Sequence, residues 1–428
     1  MGARRGFLMA AVGSAVGLGN MWRFPYLVAE NGGAAFVLLY LAIMLVVGLP
    51  LLLAELVIGR GARKSPIGAF VHFGGRAWAP LGILIVAAIF LTSSYYFVIA
   101  GWTLRYAVES IAIGFPGEPD AHFERISTGA AAIGWHLGFV ALTVFVVLGG
   151  VRAGIERLGR VLMPLLLVIL SGIALYAATL PGSGAGYQFY LAPDFATLFS
   201  WKVLSDAASQ AFFSLGIGAG MLLTFASYLD EGENLPNAAV VIAISDFGVA
   251  FLAGLAVFPL IFALGLSGML TESPLGALFI TLPSAFAEMG AAGSFVSPLF
   301  FLALAMAALT TTVAALEVLV AAAIDGLGWQ RRRAVLVIGG TLSVIGIGPA
   351  LDLRVLAWVD KLVDHLVLVA AGLALAIFAG WYMKEPIAEA SKGAEGIRWF
   401  VLWRWLLRIP VPLGLLLVLF ASIQLLSE

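Results

Sequence analysis

Two glycine-rich stretches decide how this chain is read: Gly13-Ser14-Ala15-Val16-Gly17-Leu18-Gly19-Asn20 and Ser214-Leu215-Gly216-Ile217-Gly218-Ala219-Gly220. Each lies inside an apolar segment long enough to cross a bilayer as a helix. Glycine inside a helix costs about 1 kcal/mol relative to alanine. Three glycines in each stretch therefore mark points where the helix opens. Tight helix packing would explain small residues alone. It does not explain Ser14, Asn20 or Ser214 at the same depth.

The rest of the chain supplies the setting. Of 428 residues, 62% are hydrophobic and 11% charged, with a mean hydropathy of +1.06. That excludes a soluble domain. Backbone in hydrocarbon must pair with itself, and the alternation of a barrel strand is absent, so the expected fold is an all-α integral membrane bundle. Eleven spans are expected, near 3–29, 34–60, 78–110, 131–149, 155–178, 205–229, 237–267, 296–325, 331–348, 355–383 and 400–425. The first span does not read as a signal peptide, because Asn20, Arg23 and Pro25 stand where a small-residue cleavage site belongs. Residues 271–290 carry Pro274 and Pro283 and are expected to form a short re-entrant or surface helix.

The two interrupted spans are the first and the sixth, so each leads a block of five. An odd number of spans per block inserts the second block upside down. Matching interruptions in inverted halves point to a binding site at the midplane. The expected units are 1–178, 205–384 and an additional helix, 400–425. Most of the 23 Lys and Arg fall on one side, including Arg4, Arg5, Arg60, Arg63, Lys64, Arg76, Arg331 to Arg333, Lys384, Arg404 and Arg408. By the positive-inside rule the N-terminus is cytoplasmic and the C-terminus outside, in a cell inner (plasma) membrane.

Other classes are disfavoured. Net charge is −1, which gives no electrostatic footprint for nucleic acid. No cysteine is present, and four scattered His lack a zinc spacing. No nucleophile–base pair is visible, so an enzyme is not expected. A sensor would add a polar signalling domain, and a channel would need a continuous polar pore.

The stretch from Gly13 through Asn20 to Met21-Trp22-Arg23-Phe24-Pro25-Tyr26, with Glu30-Asn31-Gly32-Gly33, resembles the first-helix signature of the neurotransmitter:sodium symporter family. Gln210-Ala211-Phe212-Phe213-Ser214-Leu215-Gly216 resembles its sixth helix. Gly101-Trp102-Thr103 and Ala308-Leu309-Thr310-Thr311 fit as well. The resemblance runs from about residue 3 to 425 and implies the leucine-transporter-type fold of five plus five inverted helices with helices 1 and 6 broken. It also implies a bacterial amino-acid transporter whose partners are a small amino acid, sodium ions and the lipid bilayer.

An amino-acid zwitterion needs donors for its carboxylate and carbonyls for its ammonium, and an opened helix exposes both. By resemblance, Leu18 and Gly19 N–H groups and the Tyr96 hydroxyl would hold the carboxylate. Carbonyls near Ala15, Phe213 and Gly216 would hold the ammonium. Thr92, Phe213, Gly216, Ala219 and Ala315 would line the side-chain pocket, whose small residues suit a large hydrophobic or aromatic substrate. Gly17 stands where monoamine transporters carry Asp, which favours a substrate with its own carboxylate.

Two sodium sites are implied. The first takes Ala15, Asn20, Ser214 and Asp246 with the substrate carboxylate. The second takes Gly13, Val16, Ala307, Thr310 and Thr311. Back-bonding to the preceding turn is the alternative for the two threonines. Asp246 replaces the usual Asn, and Ala250 lacks the hydroxyl of chloride-dependent members, so chloride-independent transport is expected; proton coupling at Asp246 is the alternative. Arg23 and Asp360 would form the outer gate with Phe213 as lid. Ser227, Tyr228 and Asp325 would belong to the inner gate, with Arg4 replacing the family's usual upstream Arg. Glu55 is expected to satisfy broken backbone in the sixth span.

Overall fold

The computed structural model describes residues 2–112, 118–150, 157–197, 200–268, 273–394 and 399–427. These residues form a helical bundle. Nine of its helices are long and apolar enough to cross a membrane: Ala34–Ala62, Arg76–Ala112, Gly129–Leu148, Arg157–Ala178, Leu235–Ala263, Ala291–Leu327, Arg331–Leu351, Leu353–Tyr382 and Phe400–Gln424. They correspond to spans 2–5 and 7–11 of the sequence reading. The first and sixth spans are each divided, as the glycines imply.

Span 1 is helical over Gly2–Ala15, opens at Val16 and Gly17, and resumes over Leu18–Met21 and Arg23–Glu30. Span 6 is helical over Trp201–Leu215 and Met221–Ala226. Between them Gly216, Gly218 and Gly220 have φ of 64°, 78° and 72°. That left-handed region is open to glycine and costly for residues with a Cβ. The alternating glycines are therefore what unwind the helix in the middle of the span.

Several boundaries differ from expectation. Span 6 ends at Ala226, so Ser227 and Tyr228 lie in the turn beyond it. Span 7 ends at Ala263 because Gly265 takes a φ of 71°. Span 8 extends to Ala291–Leu327. The expected short helix after span 7 is present as an apolar segment, Ala277–Glu288.

Spans 3 and 8 pack along each other; span 1 lies against spans 5, 7 and 8, and span 6 against spans 2, 8, 10 and 11. Span 8 is 78% buried over its most apolar window, against 33% for span 4. Span 8 is thus core, and span 4 faces outward. Phe145, Val168 and Leu175 on spans 4 and 5 are largely exposed, as apolar side chains facing lipid would be.

Candidate functional site

The opening of span 1 leaves carbonyls at the end of one half-helix and N–H groups at the start of the next. The Gly17 N–H donates to Asn20 Oδ1 at 3.1 Å, and the Leu18 N–H to Tyr96 Oη at 3.1 Å. The Gly19 carbonyl accepts from Gln210 Nε2 at 3.2 Å, which ties the two broken spans together. A Cβ on Gly17 would lie 2.6 Å from Thr311 Oγ1 and 3.1 Å from Tyr96 Oη. Gly17 is therefore the residue that lets spans 3 and 8 approach the opened backbone.

In span 6, the Gly218 N–H donates to Glu55 Oε1 at 2.9 Å. Glu55 is fully buried in span 2 and fills the structural role expected of it. The Phe213 and Gly216 carbonyls accept turn bonds from Gly216 and Ala219. Each carbonyl oxygen has a second lone pair beyond that bond.

A cavity lies between the two openings. Among its lining residues are Ala15, Gly17, Gly19, Asn20, Thr92, Tyr96, Phe213, Ser214, Gly216, Ala219, Thr311 and Ala315. Every expected substrate residue except Leu18 thus lines it, and Leu18 reaches it through its N–H on Tyr96. Ile89, Phe97, Met221 and Leu368 line it too. Sequence reading missed these four, because apolar side chains at mid-span carry no signal that separates a pocket wall from core. The Thr92 hydroxyl donates to Ala88 O at 2.9 Å and the Ser93 hydroxyl to Ile89 O at 2.7 Å. Both hydroxyls are satisfied within their own helix, so this wall of the cavity is apolar.

Asn20, Ser214 and Asp246 converge beside the cavity. Asn20 Nδ2 donates to Asp246 Oδ1 at 2.7 Å and to its backbone carbonyl at 2.9 Å. The Ser214 hydroxyl lies 2.8 and 2.9 Å from the two carboxylate oxygens. Tyr40 Oη, absent from the sequence reading, lies 3.4 Å from Oδ2. Asp246 has no exposed surface. A buried carboxylate held by one amide N–H and by hydroxyls, with no basic partner among the described residues, leaves a negative charge that a hard cation would balance.

Near the span 1 opening, Thr311 Oγ1 lies 3.5 Å from the Ser14 carbonyl. Gly13 faces Thr310, whose methyl would be 3.7 Å from an added Cβ. Thr310 Oγ1 donates to Ala307 O at 2.9 Å, the back-bonded arrangement, while Thr311 turns across to span 1. Of this group, Thr311 is the one whose oxygen reaches the half-helix Gly2–Ala15, while Thr310 turns its methyl to Gly13 and its hydroxyl to its own helix.

The outer-gate pairing differs from the expected one. Arg23 forms its ion pair with Asp364, Nη1 to Oδ2 at 2.5 Å, rather than with Asp360. Span 10 widens into a π turn over Val363–Val367, and that turn carries Asp364 to the guanidinium. Arg23 also donates to Ser209 Oγ at 2.9 Å, and its Cζ lies 5.1 Å from the Phe213 ring centroid. A Cβ on Gly19 would lie 2.8 Å from the Phe213 ring, so that ring rests on the span 1 opening.

At the other end, Ser227, Tyr228 and Asp325 are not joined to one another. Asp325 accepts from the Ser65 N–H at 2.6 Å, and Ser227 donates to Thr224 O. Tyr228 donates to Glu317 at 2.9 Å, and Glu317 holds Arg331 through both oxygens at 2.9 and 2.6 Å. Glu317 was missed, although a carboxylate inside a span is itself a signal. The Arg4 side chain lies outside the described residues.

Two broken helices meeting at a buried, mostly apolar cavity edged by a polar cluster, inside a helical membrane bundle, define a secondary transporter of the discontinuous-helix class. The model of the sodium:neurotransmitter symporter family matches residues 1–125 and 120–428. An uncharacterised sodium-dependent transporter of Methanocaldococcus jannaschii is 34% identical, covering 97% of this chain and 88% of its own. The uncharacterised sodium-dependent transporter YhdH of Bacillus subtilis is also 34% identical, covering 99% and 97%. The crystal structure of MhsT in complex with L-phenylalanine superposes with a TM-score of 0.91 at 38% identity, over 98% of both chains. The chain belongs to the sodium:neurotransmitter symporter family, and its fold is of the leucine-transporter type.

Proposed function

We propose that this protein is a sodium-coupled symporter of an α-amino acid with a large hydrophobic or aromatic side chain, working by alternating access without chloride. One observation carries the reading: the Leu18 N–H and Tyr96 hydroxyl meet at a cavity whose other edge is the Asn20–Ser214–Asp246 cluster. A substrate carboxylate bound to the first pair would reach a sodium ion held by the second. Ion and substrate then stabilise each other, which is a coupling free energy. Support also comes from MhsT, solved with L-phenylalanine, and from the neutral amino acid transporter B(0)AT2 of Bos taurus, 31% identical over 59% of this chain.

In this reading Ala15, Asn20, Ser214 and Asp246 hold the first sodium, and Gly13, Val16, Ala307, Thr310 and Thr311 the second. The carbonyls at Ala15, Phe213 and Gly216 take the ammonium. The small Gly216, Ala219 and Ala315 leave room for a large side chain against the apolar wall at Thr92. Asp246 supplies the fixed negative charge that chloride supplies elsewhere. Arg23 and Asp364, above Phe213, close the outer path. Tyr228, Glu317 and Arg331, with Asp325, guard the cytoplasmic one. Residues 1–178 and 205–384 act as the inverted halves.

Uptake of radiolabelled amino acids into proteoliposomes tests the proposal. Concentrative uptake of a hydrophobic or aromatic amino acid is expected with a sodium gradient, and unchanged uptake with gluconate in place of chloride. Equal uptake with choline in place of sodium would overturn the coupling. A large loss in gluconate would overturn chloride independence.

A further inference from the structure

Span 10 ends in a second π turn, Phe378–Tyr382, and span 11 begins with the short helix Phe400–Arg408 before it bends at Ile409. Phe400, Trp403 and Leu407 of that helix are buried against the protein. The opposite stripe, spaced as one helix face, is Val401, Arg404, Trp405 and Arg408. Val401 is 70% exposed and Trp405 49%.

Arg404 and Arg408 stand at i and i+4, where like charges destabilise a helix. Both aim Nε at one acceptor, the Gly380 carbonyl, at 3.5 and 2.8 Å. That carbonyl is an orphan of the span 10 terminus. Capping it needs one donor, not two guanidinium groups. The Arg408 Cζ lies 5.4 Å from the Trp381 ring centroid, and Trp381 Nε1 donates back to Arg408 O at 3.3 Å. Among the described residues no carboxylate lies within ion-pair distance of either arginine, and their Nη groups have no acceptor. Trp381 and Tyr382, each 59% exposed, flank the pair. Exposed aromatics mark the headgroup level of a bilayer. Two convergent guanidiniums at that level, with no carboxylate partner among the described residues, present paired donors to a phosphate.

We propose that Arg404 and Arg408 bind the phosphate of an anionic phospholipid, with Trp381 and Trp405 against its glycerol and upper acyl chain. The site lies at the basic side of the membrane, where the surface potential of anionic lipid adds to the local contacts. It pins the start of span 11 to the end of span 10.

Native mass spectrometry of the full-length protein in neutral detergent tests this. Dioleoyl-phosphatidylglycerol and dioleoyl-phosphatidylcholine are titrated separately. The first phosphatidylglycerol is expected to bind roughly tenfold tighter than phosphatidylcholine. R404Q/R408Q should abolish that preference, and R404K/R408K should keep part of it. If the double variant is not monodisperse, R404Q and R408Q are measured singly, each with a partial loss expected. A preference that survives both single and double glutamine variants would overturn the site. Arginine-dependent binding of inorganic phosphate that displaces phosphatidylglycerol would overturn the lipid as its ligand.

Discussion

At the scale of single residues, the site rests on side chains that do little in a water-soluble protein and much in hydrocarbon. Thr311 is one. Its hydroxyl turns away from its own helix toward span 1 and also bonds the Tyr96 side chain, so Thr311→Ala removes an oxygen from the span 1 opening and one partner of Tyr96. Loss of one such contact, about 1 kcal/mol, should raise the sodium concentration for half-maximal uptake about fivefold. An unchanged sodium midpoint would count against the second ion site. Asp246 is the other. Its two oxygens are held by Asn20 and Ser214, which leaves the charge itself for the cation. Asp246→Asn should abolish sodium-driven uptake whether or not chloride is present. The double change D246N/A250S, which adds a hydroxyl one turn away, should recover uptake only with chloride. Recovery without chloride would show that the carboxylate is dispensable. Asn20, Asp246 and the paired threonines stand out in the sequence because they are polar groups at one depth of an apolar chain; the ion roles proposed for them came from the family resemblance. Met221 and Leu368 could not be read that way, since the cavity they line forms only when spans 6 and 10 meet spans 3 and 8.

At the scale of the element, the broken helices are stabilised from outside themselves. Three left-handed glycines interrupt span 6, and Glu55 of span 2 accepts the Gly218 N–H that the break releases. Glu55→Ala would leave that donor buried and unpaired, a loss of about 1–3 kcal/mol. Glu55→Gln retains an acceptor and should lose less. Thermal unfolding in detergent should rank them wild type, Gln, then Ala, and equal melting of Ala and Gln would refute the pairing. Gly218→Ala adds a Cβ at a φ of 78°, 2.9 Å from the Leu368 carbonyl. Its strain, about 1–3 kcal/mol, should lower both melting temperature and uptake. The glycine spacing announced the breaks. The π turns in span 10 had no comparable marker, so the register that puts Asp364 rather than Asp360 on Arg23 was hidden.

At the scale of the whole molecule, Arg23 and Asp364 are buried above the cavity while Tyr228 is about half exposed at the other end. This arrangement is closed on the side of Arg23. The chain has no cysteine, so a single introduced one is a clean reporter. With Ala219→Cys in the cavity wall, a membrane-impermeant thiol reagent added outside should label slowly. Asp364→Asn should speed that labelling more than Asp360→Asn does. The reverse order would restore Asp360 as the gate's anion.

The sequence alone determined that this protein is a helical membrane bundle, where its two central helices break, and which polar residues gather at the break. Those features follow from local rules: hydrocarbon forces helices, glycine permits left-handed turns, and polar groups in lipid need a reason. Tertiary structure decided which charges pair. Arg23 met Asp364, and Tyr228 met Glu317, which in turn holds Arg331. Ion pairing depends on ångström-level distance between helices far apart in the chain. Helix register, shifted by each π turn, sets that distance, and no short stretch of sequence contains it.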